Sequence, residues 1–430
     1  MNKKFIVMAA FAAVFGMAFT ACTNNDDEFA GGGGGGVETS LKDAISYAPV
    51  LDGKVVTRGT EVTDAGFKVA GKSFKVVGYF ATGASNPSNP SISAGLQYIG
   101  TSNNGIVVTA EGDPLVWNPA QKAYWPGADL NFQAVSPSAD QSTEYILAAS
   151  AISTKDSKNI PTLAYVCDLP VITANQQDLI FAQATGQNQS NAGSGVSLDF
   201  SHATSQVVFN AYLADNTLQA QINSIEICNL YKDATIGYAA PTTTATTDAG
   251  VLTVTAPATQ HYAAFGVDPA AGTHGGIVGD AAVTVTSDDE DDPDALSATA
   301  GALFMIPQNR TGEAWGLHGS AAETAEAGVN DKSITQANTL YQTYIKIGCK
   351  IQMADNNYIL GAAGSWGYVY IPLEVNWAMG TKYIYTIKIG AGSGGYDENG
   401  NPLMAPISYV VNSVAAWGTS EIETEIEKQF

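Results

Sequence analysis

The stretch KYIYTIKIG, at 382–390, puts Tyr383, Tyr385, Ile387 and Ile389 on one side of an extended backbone and Ile384, Thr386 and Lys388 on the other. Side chains of a strand alternate between faces, so this spacing is that of a strand and not of a helix. The same habit recurs along the chain. Val207 and Phe209 alternate with Gln206 and Asn210 in SQVVFNAYL, and Ile225 and Ile227 flank Glu226 in NSIEICNL. Further short runs are SFKVVGYF (73–80), GIVVTA (105–110), LNFQAVSP (130–137), DLIFAQA (178–184), VSLDF (196–200), GVLTVTA (250–256), AAVTVTS (281–287), ALFMIPQ (302–308), YQTYIKIGCKIQM (341–353), WGYVYIPLEV (366–375) and ISYVVNSVAAW (407–417). Gly-rich turns separate them. Many short strands joined by such turns predict antiparallel β-sandwiches. AAETAEA (321–327) is the one stretch that reads as a helix. The runs divide near DFSHAT (199–204), which predicts one sandwich over 59–200 and a second over 201–430.

Charge limits the partners. With 41 acids against 19 bases the net charge is −22, whereas binding phosphate backbones needs a basic patch. Nucleic acid is not an expected partner. The acidity suits a β-rich protein that must stay soluble and resist edge-to-edge pairing.

The first residues give an address. MNKK is a basic start, Phe5 to Thr20 is apolar, and Cys22 follows small residues in FTAC. This is the pattern of a secretion signal ending at a lipid-bearing cysteine, so residues 1–21 are expected to be a lipoprotein signal peptide and Cys22 the lipidation site, anchoring the precursor to the outer membrane. Each buried CH₂ of the acyl chains contributes about 0.8 kcal/mol to such an anchor. No later segment is a run of ~18 apolar residues, so no spanning helix is expected. Residues 22–58 then form a leader, with GGGGGG (31–36) as spacer and ISYAPV as its first strand.

Chemistry-bearing residues are sparse. Cys167, Cys228 and Cys349 are far apart and lack C-x-x-C spacing, so they read as small buried hydrophobes. His202, His261, His274 and His318 have no metal-ligand or nucleophile spacing, and His202 reads as a hydrogen-bonded hinge residue. SDDEDDPDA (287–295) is acidic enough for Ca²⁺ but lacks the order that wraps a ligand loop round the ion. Asn399-Gly400 reads as a type I′ hairpin turn. Trp315 and Trp366 could stack on sugars, although core positions suit them better. No catalytic residue, metal site or cofactor is expected, and the chain is not read as an enzyme.

Two features suggest processing and assembly. The chain holds two arginines, Arg58 and Arg310, and Arg58–Gly59 stands in a short polar stretch, KVVTRGTEV, that a protease could grip. At the other end SEIETEIEKQF alternates Ile422, Thr424, Ile426, Lys428 and Phe430 with glutamates. It reads as a two-faced strand, with a helix as the rival because Ile422, Ile426 and Phe430 also fit helical spacing.

Several motifs, in order, resemble the fimbrillin (type V pilin) family: AYWPGADLNFQAVSP at 123–137, VSLDFSHATSQVVFNAYL at 196–213, LFMIPQ at 303–308, VNWAMGTKYIYTIKI at 375–389 and VNSVAAW at 411–417. The resemblance covers about residues 40–417. Thr204 and Ser205 depart from it where the family often has an apolar or basic residue. It implies an all-β precursor with two transthyretin-like antiparallel β-sandwich domains, in which a protease cuts at Arg58–Gly59 and removes the leader with its first strand. A donor strand from a neighbouring subunit then fills the groove. That role carries over onto the tail from about Asn412 to Phe430, with Ile422, Thr424, Ile426 and Phe430 as its inward side chains. The implied partners are other copies of the chain, related pilins, a maturation protease and a host or bacterial surface receptor. The implied place is the outer membrane as a surface-exposed lipoprotein precursor, and the fimbrium once matured. The alternatives are a fimbrial tip or accessory adhesin, and an anchored surface lipoprotein, either binding glycans.

Overall fold

The structure, a computed structural model, describes residues 44–51, 64–81, 84–86, 89–92, 96–100, 105–136, 149–150, 164–168, 176, 178–239, 251–255, 262–266, 278, 281–296, 303–315, 333–390, 395–403, 407–414 and 425–426. All of these fall in one compact unit, Asp43–Phe430. The fold is all-β. The helix read at 321–327 lies outside the described residues, and among them no helix is long and apolar enough to cross a membrane.

The first half contains β1 (Tyr47–Leu51), helix α1 (Asp64–Phe67), β2 (Ser73–Phe80), β3 (Ala84–Asn86), β4 (Asn89–Ile92), β5 (Gln97–Ile99), β6 (Ile106–Glu111), β7 (Val116–Pro119), β8 (Leu130–Ser136), β9 (Ala149–Ser150), β10 (Ala164–Asp168), β11 (Ile180–Gln187) and β12 (Val196–His202). Eight strands make one sheet in the order β1-β12-β11-β8-β2-β6-β7, with β5 on β2. Strands sit about 4.8 Å apart, so four steps of a flat sheet would part β1 from β2 by ~19 Å. The rings of Tyr47 on β1 and Phe74 on β2 are 6.0 Å apart. The sheet therefore curls back on itself. Inside the curl lies an apolar core that includes Tyr47, Phe67, Phe74, Phe132, Leu198 and Phe200. On β12 Val196, Leu198, Phe200 and His202 point in and Ser197, Asp199 and Ser201 point out, which is the period-two pattern of the sequence.

The second half contains β13 (Ser205–Leu213), β14 (Leu218–Tyr231), β15 (Asp233–Ala239), β16 (Val251–Thr255), β17 (Tyr262–Phe265), β18 (Val283–Val285), β19 (Asp294–Ala295), β20 (Leu303–Met305), helix α2 (Ile334–Thr339), β21 (Tyr344–Met353), β22 (Tyr358–Leu360), β23 (Gly367–Pro372), β24 (Lys382–Ile389), β25 (Ile407–Val414) and β26 (Glu425–Ile426). One sheet runs β19-β13-β24-β25-β26 with β20 on β13, and the other runs β17-β14-β21-β22 with β18 and β23 attached. Val207 and Phe209 on β13 and Tyr385 and Ile387 on β24 share a core with Ile222 and Ile225 on β14 and Ile345 and Ile347 on β21. Along β14 the inward set shifts from Ala220 and Ile222 to Ile225 and Ile227, because a bulge between Ile222 and Ser224 adds one residue and reverses the faces.

Among the described strands, ladders are antiparallel except in two places: β1 on β12 and β13 on β24 are parallel. Neither pair is joined by a hairpin, so local turns do not set their direction.

The halves are joined tightly. The outer faces of β2, β8 and β11 send Val77, Tyr79, Val135 and Phe181 into the second core. That explains why every residue of β8 is buried. Ala203 and Thr204 between β12 and β13, and Ser205 at the start of β13, are buried too. Strands from both halves also share the sheet β16-β15-β10-β9.

Candidate assembly groove

β1 lies at the rim of the curled sheet, in register from Tyr47 opposite Val196 to Leu51 opposite Phe200. Ile45, Tyr47, Pro49 and Leu51 are buried, whereas Ser46 and Val50 are exposed. One face of the strand is thus core and the other is solvent. Tyr47 meets Phe74 and Phe132 edge-on, with ring centroids 6.0 and 6.1 Å away. Its hydroxyl has no hydrogen-bond partner among the described residues, and burial raises its pKa. Just before the strand, Ile45 N donates to Ala123 O (2.8 Å).

The backbone explains how the strand ends the sheet. Val196 N donates to Ser46 O (2.8 Å). In a parallel ladder alternate residues face the same neighbour, so Ser46 and Ala48 face β12 while Tyr47, Pro49 and Leu51 turn their backbones outward. Pro49 has no N–H, and it removes a donor from the outer rim. At the other partner, Gly195 has φ +80°, and a Cβ there would lie 3.2 Å from Ser46 Oγ and 3.3 Å from Ala48 N. Glycine lets β12 begin close beneath β1.

The chain beyond residue 63 has its own anchor. Phe67 in α1 is buried, with its ring 5.1 Å from both Trp117 and Phe200. β1 and the body are therefore fastened independently on either side of residues 52–63. Arg58 and Gly59 fall in that interval and lie outside the described residues, as does Cys22.

The described part of the tail is on the other half. Asn412 and Val411 of β25 face Glu425 and Ile426 of β26 in an antiparallel pair. Ile426 is thus on the rim of the second half's sheet in its own chain and is not brought to the β1 groove. Ile422, Thr424 and Phe430 lie outside the described residues.

The other sequence candidates have structural places. His202 Nδ1 lies 2.7 Å from Asp178 Oδ2, with both side chains buried. Cys228 and Cys349 are buried, and burial pushes both thiols up to about 12. Cys167 is on β10. Trp315 is buried beside Tyr344, Tyr370 and Tyr396, and Lys350 Nζ sits 4.3 Å from the centre of the Trp366 ring. In the acidic loop Asp294 Oδ2 accepts from Thr286 N and Ser287 N. Among the described residues no three His, Cys, Asp or Glu side chains are placed to hold a metal.

Asn399-Gly400 does not form a type I′ turn. Gly400 has φ +80°, but Asn399 is not among the positive-φ residues. Asp397 Oδ1 accepts from Asn399 N and Asn401 N instead, at 2.9 and 2.8 Å, and folds the loop around its own carboxylate. The Asn401 side-chain amide, donating to Oδ2 (2.9 Å), holds the Asp397 carboxyl below its ordinary pKa, and these backbone bonds add to it.

Arg310 was missed as a structural residue. It is 1 % exposed, its guanidinium lies 4.8 Å from the ring centres of both Tyr231 and Tyr262, and it pairs with Glu313 at 2.7 Å.

The family model described as Fimbrillin-like matches residues 60–406. Among solved structures, a fimbrial protein from Bacteroides vulgatus is similar at 14 % identity and a TM-score of 0.47, over 87 % of this chain and 99 % of that one. A fimbrilin from Porphyromonas gingivalis is similar at 11 % identity and a TM-score of 0.38, over 88 % and 98 %. No curated protein matches the chain.

Proposed function

The chain belongs to the fimbrillin-like family, and from that premise we propose that it is a shaft subunit of a surface fimbria, made as a lipid-anchored precursor and polymerised by strand exchange. Family membership itself implies a cell-surface fimbrium and association with other pilin copies. The finer reading is that lipid on Cys22 holds the precursor at the outer membrane, a protease cuts after Arg58, β1 leaves, and a neighbour's tail fills its place.

One observation carries this reading: Tyr47 and Leu51, which precede Arg58, are part of the same core as Phe67, which follows it. Loss of β1 would bare an apolar slot and an unpaired β12 edge. Each large apolar side chain returned to such a slot contributes ~1.5–3 kcal/mol. A strand with apolar side chains at every second place suits it, because the backbone supplies affinity and the alternate side chains supply fit. Ile422, Thr424, Ile426 and Phe430 have that spacing. In this reading the short pairing of β26 with β25 is where the tail rests before exchange. Donation from one subunit to the next does not close into a ring, so it produces a filament.

Arg310 makes the test clean. Because it is fully buried, an arginine-specific protease acting on the folded chain is expected to cut once, after Arg58. SDS-resistant ladders should follow on gels. Deleting residues 418–430 should leave a folded, cleaved monomer and no ladder. Ladders from that deletion would exclude this tail as donor. A cut wild-type chain that stays monomeric would exclude the shaft role and favour a tip subunit.

A further inference from the structure

We propose that Tyr47 sets the rate at which the leader strand leaves its groove, by holding a polar atom where the groove can give it no partner. The proposal rests on the assembly reading above and adds a control point to it. Of the four inward side chains of the leader strand, Ile45, Pro49 and Leu51 carry no polar side-chain atom. The Tyr47 hydroxyl is the exception. The ring is packed against Phe74 and Phe132, and the buried hydroxyl has no hydrogen-bond partner among the described residues. A buried, unsatisfied hydroxyl is destabilising, because water bound it before burial.

The penalty is confined to one state. While β1 is seated the hydroxyl is stranded, and once β1 leaves water solvates it. The cost therefore weakens the seated strand and not the free one. The ring still fills its space, so the precursor core is complete. Tyr79, on the outer face of the same sheet, offers a contrast. Its hydroxyl also lacks a partner, but β2 stays in the body before and after release, so its cost is common to both states and cancels. Phenylalanine at position 47 keeps the edge-on ring packing and deletes the stranded oxygen.

The experiment uses the full chain, cut with an arginine-specific protease, and follows release of the N-terminal peptide ending at Arg58 by native mass spectrometry. Ladder growth is read in parallel. Tyr47→Phe is expected to slow release about tenfold, which corresponds to ~1.4 kcal/mol. Tyr79→Phe is expected to release at the wild-type rate. Amide exchange at Val196 and Leu198 in the uncut chains, which reports seating of β1 on β12, should slow in Tyr47→Phe alone. Release from Tyr47→Phe at the wild-type rate or faster would overturn the proposal. So would equal slowing in Tyr79→Phe, or a wild-type peptide that never leaves. If the peptide leaves on this schedule but no ladder forms, Tyr47 keeps its role and the polymerisation reading falls.

Discussion

At Gly195 a hydrogen stands where any other residue would carry a carbon, and the first strand depends on it. The left-handed backbone there costs an L-residue about 1–2 kcal/mol. The Cβ would also press on the backbone of Tyr47 and Ala48. Gly195→Ala should therefore lower the midpoint of thermal unfolding and speed amide exchange in β12. Gly193, two residues earlier, has open space around its Cα and no positive φ, so Gly193→Ala is the control. Equal melting of the two variants would show that close approach at Gly195 is not needed. The two arginines teach a related lesson. The sequence shows that they are rare, but not that Arg310 is enclosed by Tyr231 and Tyr262. Those two residues lie on different strands, and the enclosure exists only after β14 and β17 pair.

Elements were legible where one strand carried its own pattern. The alternation in β12 survives unchanged as burial, and that in β24 is broken only at Thr386, which is buried too. What joins strands over long stretches of chain was not legible. The parallel seats of β1 and β13 depend on partners far along the sequence, and no turn motif announces them. The same holds for the curl of the first sheet, which shows only as contacts across four strands. Helix α2 hid because ITQANT has one large apolar residue. Its signal was Ser333, whose hydroxyl caps Gln336 N. The seat of β1 was half visible: ISYAPV read as a strand, but its inward and outward residues needed the register. A chain lacking residues 43–51 should bind the dye ANS strongly and lose stability by several kcal/mol, at ~1.5–3 kcal/mol per buried side chain. A peptide spanning 43–52 should reverse the dye binding. An unchanged ANS signal on deletion would mean the slot collapses once emptied.

For the whole molecule, the division near residue 200 marks a change of sheet and not a hinge. Val77, Tyr79, Val135, Leu179 and Phe181 serve the second core from the first half. Ala203 N donates to Leu179 O (2.7 Å), and Gly380 N donates to Thr204 O (2.9 Å), so the crossing segment is bonded on both sides. A fragment of residues 205–430 should consequently unfold at a lower temperature than the intact chain and aggregate when concentrated. A fragment that melts with the parent would mean that the shared core contributes little. Pro49 bears on the assembly proposed above. Were copies secreted, anchored and crowded before any is cut, a strand open along its outer rim would let them gel on the way. Proline removes a donor from that rim at mid-strand, so under the proposed assembly the plug that completes each copy would also make it a poorer template for the next, and the moment of growth would be left to the protease.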